Sequence, residues 1–66
     1  MNSGLGAIVS AYAKRTDDQP KGTAQVVLVE RFLGEGWYRG KVVLMDDPEC
    51  QERTMYFNVE KGGETN

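Results

Sequence analysis

The sequence predicts a small all-β protein, a four-stranded antiparallel sheet or SH3-like barrel. Three observations carry that expectation. Thr23–Leu33 (TAQVVLVERFL) is rich in β-branched residues, the glycine-bounded link Gly34-Glu35-Gly36 follows it, and Arg53–Lys61 (RTMYFNVEK) alternates apolar with polar residues. The alternative is an α+β arrangement, with an N-terminal helix packed on a three-stranded antiparallel sheet.

The N-terminal segment, residues 5–14, fits two periods. Leu5, Ile8, Val9 and Tyr12 match one face of a helix, whereas Val9, Ala11 and Ala13 match strand alternation. Gly4 and Gly6 weaken a helix, and the polar link TDDQPKG fits a hairpin connection, so a strand is favoured.

Next come the two central strands. With a three-residue loop at Gly34–Gly36, the expected cross-strand pairs are Leu33 with Trp37, Phe32 with Tyr38, Arg31 with Arg39, Val29 with Lys41 and Val27 with Val43. One face then carries Ala24, Val26, Leu28, Phe32, Tyr38, Val42 and Leu44, the natural core. The other is mixed: Gln25, Val27, Val29, Arg31, Leu33, Trp37, Arg39, Lys41, Val43 and Met45. The turn Asp46-Asp47-Pro48-Glu49-Cys50 leads to the last strand, with Met55, Phe57 and Val59 inward and Thr54, Tyr56, Asn58 and Glu60 outward. Residues 62–66 hold nothing to bury and are expected to fray.

VERFLGEGWYRGKVVL (Val29–Leu44), followed by MYFNVEKGGE (Met55–Glu64), resembles a Tudor-type SH3-like barrel. In that family a WYR-containing strand precedes an aromatic strand ending near an acidic, glycine-containing turn. The resemblance covers less than half the chain and lacks a set of cage aromatics, so it transfers no site residue.

Composition restricts function more than it defines it. Sixty-six residues form one small domain, which buries only ~60% of its unfolded surface and has little room for a deep active site. There is no histidine and only one cysteine, Cys50. That removes the commonest general base, every Ser-His or Cys-His nucleophile and any structural zinc site. No glycine-rich phosphate motif is present, and the acids of DDPECQE lack the ligand order of a calcium loop. The chain is therefore expected to be non-enzymatic and to need no metal or other cofactor. Cys50, among acids, is expected to be a sluggish and incidental thiol.

A lone cysteine fits a cytoplasmic location. No apolar run reaches the length of about 18 residues that a membrane helix needs, and Gly4–Ala13 lacks the flanks of a secretory signal, so no membrane partner is expected.

The net charge of −2 and pI near 4.9 disfavour generic nucleic-acid binding. Charge is nevertheless polarised: Arg31, Arg39 and Lys41 outnumber Glu35 over residues 31–41, while Asp46, Asp47, Glu49 and Glu52 have no base among them over residues 46–52. The face bearing Trp37, Arg39, Lys41, Arg31 and Tyr56 is the candidate binding site, because Trp, Tyr and Arg dominate interface energetics. A larger protein partner is the leading expectation, with the chain as adaptor or inhibitor. Single-stranded nucleic acid stacking on Trp37 and Tyr56 is the alternative. A homodimer or larger homo-oligomer through Val27, Val29, Val43 and Met45 is a further one. Against all three stands a purely structural arrangement, in which Glu60 lies beside Arg39 to make an Arg-Glu-Arg ladder while Trp37 plugs the barrel end.

Overall fold

The computed structural model describes residues 6–59. Four strands, β1 (Ile8–Tyr12), β2 (Gly22–Gly34), β3 (Trp37–Leu44) and β4 (Glu52–Asn58), are bonded in chain order, and β1 returns to β4 to close a barrel. Every pairing is antiparallel. No helix among the described residues is long and apolar enough to cross a membrane.

The N-terminal segment is a strand because alternation prevails over the helical spacing. Val9 and Ala11 point into the barrel, fully or almost fully buried, and Ala11 pairs with Phe57 where β1 meets β4. Leu5, which completed the helical pattern, lies outside the described residues, as do Glu60 and residues 62–66. Gly6, at φ 80°, donates its N–H to Val26 O at 2.8 Å and extends the β1–β2 contact.

The turn between β2 and β3 is tighter than a three-residue loop. Gly34 pairs with Trp37, leaving Glu35 and Gly36 at the tip with φ of 56° and 82°. Two consecutive positive φ values are the signature of a type I′ hairpin, whose twist matches that of the flanking strands. Leu33 has no partner, and this irregularity restores the expected pairs Phe32 with Tyr38 and Arg31 with Arg39.

Two more register shifts follow along β2, between Val29 and Arg31 and between Val26 and Leu28, leaving Glu30 and Val27 unpaired. Each shift moves the register by one residue. Val29 therefore faces Gly40, Leu28 faces Lys41 and Gln25 faces Val43, which corrects the expected pairing of Val29 with Lys41 and of Val27 with Val43. Between the shifts the faces exchange: Val29 packs against the core and Leu28 is half-exposed. After both, parity is restored, and Val26 and Val42 meet inside the barrel.

The core is Val9, Ala11, Ala24, Val26, Val42, Met55 and Phe57, with Ala7, Val29, Tyr38 and Leu44 packed against it. Phe57 is wholly buried and stacks on Tyr38 at a ring separation of 5.8 Å. Burying such a side chain contributes roughly 1.5–3 kcal/mol, and Phe57 is the largest of the fully buried ones. Three expected core residues are exposed: Leu28, Phe32 and Val59. Leu28 is turned out by the shift beside it. Phe32 sits on Tyr38 at 5.0 Å, but lies where β2 has run past its pairing with β1 and no strand covers it among the described residues. Val59 follows the last residue of β4.

Candidate functional site

Along β3 the residues Tyr38, Gly40, Val42 and Leu44 face the barrel interior, so Trp37, Arg39, Lys41 and Val43 project from its outer surface. Across β2, β3 and β4 the outer positions form rows: Gln25, Val43 and Glu52; Leu28, Lys41 and Thr54; Arg31, Arg39 and Tyr56. Tyr12 continues the third row on β1.

The register of β4 bears on the expected Arg-Glu-Arg ladder. Glu60 beside Arg39, as the ladder expects, would set Thr54 opposite Met45 in an unbroken antiparallel register, but Thr54 lies opposite Lys41 and Tyr56 opposite Arg39. The displacement is four residues, so every side chain keeps its face while its neighbours change. Its cause is the β3–β4 turn, which closes around Asp47. The Asp47 N–H donates to Leu44 O and the Cys50 N–H to Asp47 O, each at 3.1 Å, so two successive turns end β3 at Leu44. The Asp47 carboxylate accepts from the N–H groups of Glu49 at 2.9 Å and Gln51 at 3.0 Å. With this turn the neighbour of Arg39 on β4 is a tyrosine and not a carboxylate.

Arg31 and Arg39 thus stand directly opposite one another, with Arg31 exposed and Arg39 half-buried. Among the described residues neither guanidinium is in an ion pair. Lys41 extends the cationic face and donates from Nζ to Thr54 Oγ1 at 3.0 Å. Leu28, half-exposed, lies beside it and Tyr56 is half-buried.

Trp37 occupies the expected face but is not available as a stacking platform. Only 8% of its surface is exposed, and its ring meets that of Tyr12 edge-on at 5.2 Å. Tyr12 and Asn58, also outward by alternation, are likewise buried, and Asn58 pairs with Trp37 across β3 and β4. Asn58, expected to face solvent, donates from Nδ2 to Glu35 O at 3.2 Å and so ties the end of β4 to the hairpin tip. The outward parity of Tyr12 and Asn58 concealed this role, since alternation alone assigns outward positions to water. The oligomer set is also divided. Val27 and Met45 are exposed, but Val29 packs inward.

The acidic turn is self-satisfied. Hydrogen bonds from the backbone of Gln51 and then Glu49, with Arg53 nearby, hold the Asp47 carboxyl below the ordinary carboxylate range. Among the described residues no group of three or more His, Cys, Asp or Glu is placed to hold a metal, and Cys50 is a free, exposed thiol. A cleft of about 490 Å³ is lined by Ala13, Lys21, Leu44, Arg53, Thr54 and Met55. No protein-family model, curated protein or solved structure matches the chain.

Proposed function

We propose that this chain is a non-enzymatic, SH3-like binding module that works in the cytoplasm and docks through the outer face of β2–β3–β4 onto an acidic surface of a larger protein. The observation that carries this reading is the row Arg31–Arg39–Tyr56, flanked by Lys41 and Leu28. Like charges directly across two strands are destabilising in the free protein, so an acidic partner that lies between them gains what the fold forgoes. Leu28 adds an apolar contact beside the charges, and a mixed patch of arginine, tyrosine and aliphatic side chains is what interface centres use.

Binding to single-stranded nucleic acid is the weaker alternative, because burial of Trp37 removes its principal stacking residue. Affinity capture from the native host, with wild type beside Arg39→Ala and Leu28→Ser, tests the reading. A specific partner retained by wild type and lost with both variants is expected, with circular dichroism unchanged. Retention of the partner by both variants would refute the assignment of this face. A labelled oligonucleotide titrated at two salt concentrations separates nucleic acid, whose affinity should fall steeply as salt rises.

A further inference from the structure

We infer that the Arg31–Arg39 pair is a site for a phosphate monoester, so that the partner segment recognised by this face is a phosphorylated one. The inference rests on the binding-module reading above and specifies its ligand.

The geometry supplies the donors. Arg31 on β2 and Arg39 on β3 are direct cross-strand partners, and Tyr56 on β4 is the next residue in the same row. Directly opposite residues on one face have Cβ atoms about 4.5–5.5 Å apart, so two guanidinium groups and a phenol hydroxyl can converge on one group lying over β3. A guanidinium presents paired N–H donors that match two oxygens of a phosphate. The tyrosine hydroxyl, in the same row, is a further donor for the remaining oxygen.

Charge then selects among oxyanions. A single carboxylate carries one negative charge and leaves one of the two facing guanidinium groups uncompensated. A phosphate monoester carries about −1.5 to −2 near neutral pH on one tetrahedral group, enough to offset both. A phosphodiester carries only one charge per phosphate. Lys41, two residues along β3 on the same face, is engaged with Thr54 and adds to the local positive field without being needed as a ligand. The nearest acid in sequence, Glu30, is the unpaired residue beside Arg31. It pairs with neither guanidinium, since among the described residues both arginines are outside any ion pair.

The probe is phenyl phosphate, compared at equal concentration with benzoate and dimethyl phosphate. Binding is followed through the arginine Nε–Hε signals in ¹⁵N-labelled protein and through the melting temperature. Phenyl phosphate should shift the Arg31 and Arg39 signals saturably and raise the melting temperature, whereas the two singly charged anions should bind at least tenfold more weakly. Arg31→Gln and Arg39→Gln should each weaken phenyl phosphate binding about tenfold or more, the loss expected for one charge-assisted hydrogen-bonding group. At low salt Arg31→Gln should also melt at a higher temperature than wild type, because it relieves the facing charges; a merely structural arginine would lower both. If Arg39→Gln does not fold, Arg39→Lys keeps the charge, removes the fork, and should still lose phosphate affinity.

Equal affinity for benzoate, equal affinity for dimethyl phosphate, or binding untouched by both arginine substitutions would each overturn the inference. The two levels of the argument fail separately. Partner capture that depends on Arg39 without any preference for phenyl phosphate leaves the binding face standing and removes the phosphate site. Capture independent of this face removes the module reading itself.

Discussion

Gly40 is the residue on which the barrel is most narrowly balanced. It is buried in β3 opposite Val29, between the two register shifts of β2. A Cβ placed on it would overlap the carbonyl oxygen of Leu28 and lie 3.1 Å from both Leu28 C and Val29 Cα. All three are backbone atoms, so no change of rotamer relieves the clash. Gly40 does not have a positive φ, and Gly40→Ala therefore measures close approach alone. Overpacking a tight interior costs about 1–3 kcal/mol, and the upper end applies where backbone must move. For a chain of this length the whole stability is on the order of 3–10 kcal/mol. Since 1 kcal/mol shifts the melting temperature of a small domain by about 4–8 °C, a cost of ~3 kcal/mol lowers it by roughly 12–24 °C. Thermal melts followed by circular dichroism provide the assay. Gly22→Ala serves as control, because a Cβ there meets only Leu44 Cδ2, at an ordinary 3.6 Å. If Gly40→Ala melted within a few degrees of Gly22→Ala, the inferred contact between β3 and the irregular part of β2 would be wrong.

Four other outcomes follow from the same geometry. Phe57→Ala, at a wholly buried ring, should cost about 3–5 kcal/mol, while Phe32→Ala, at a ring 60% exposed, should cost about 1 kcal/mol or less; comparable losses in denaturant titrations would contradict the exposure of Phe32. Glu35→Asn should stabilise by about 0.5 kcal/mol, since Glu35 has φ 56° and asparagine tolerates the left-handed region better; a lower melting temperature would argue against the type I′ turn. Removing the facing charge with Arg31→Gln should stabilise by about 0.2–1 kcal/mol at low salt, and the gain should shrink in high salt as screening weakens the repulsion. Asp47, depressed by the amides of Gln51 and Glu49, should titrate below 3.8 in the folded protein. The stability it lends is complete above its unfolded pKa and is lost as pH falls through the lower folded value. NMR shifts of the Gln51 and Glu49 amides against pH report this, and a midpoint at or above 3.8 would remove the cap.

Alternation was enough to read the strands and much of the core, because a side chain facing into so small a barrel has only the core to meet. Val26, Val42, Met55 and Phe57 follow from period two alone. Alternation fails where the chain inserts a residue without announcing it. Nothing in the composition of VVLVERFL marks Val27 and Glu30 as unpaired, yet those two positions decide that Val29 and not Leu28 faces inward. The β4 register was likewise illegible, because residues 46–50 allow a turn centred on either Asp47 or Glu49, and only the hydrogen bonds of Asp47 to its own loop choose between them. The sequence puts Trp37 on the outer side of the sheet but leaves open whether it is exposed or a plug, because the ring it meets, Tyr12, lies on a strand distant in sequence.

The same irregularities of β2 that hid part of the core also build the candidate site. Had the register of Val26 with Val42 continued unbroken toward the hairpin, Val29 would lie across from Arg39 and Arg31 across from Trp37. The two unpaired residues, Val27 and Glu30, advance β2 by two positions, and the arginines then meet. Bulges bend a strand and increase its twist, and the bend here brings the Leu28–Val29 backbone down onto Gly40, the one position in β3 that lacks a Cβ. Bulges and a glycine at a close approach also serve to curve a long strand into a small barrel; here they align like charges as well. The substitution at Gly40 and the substitution at Arg31 probe the two sides of that arrangement, the first its structural support and the second its electrostatic strain.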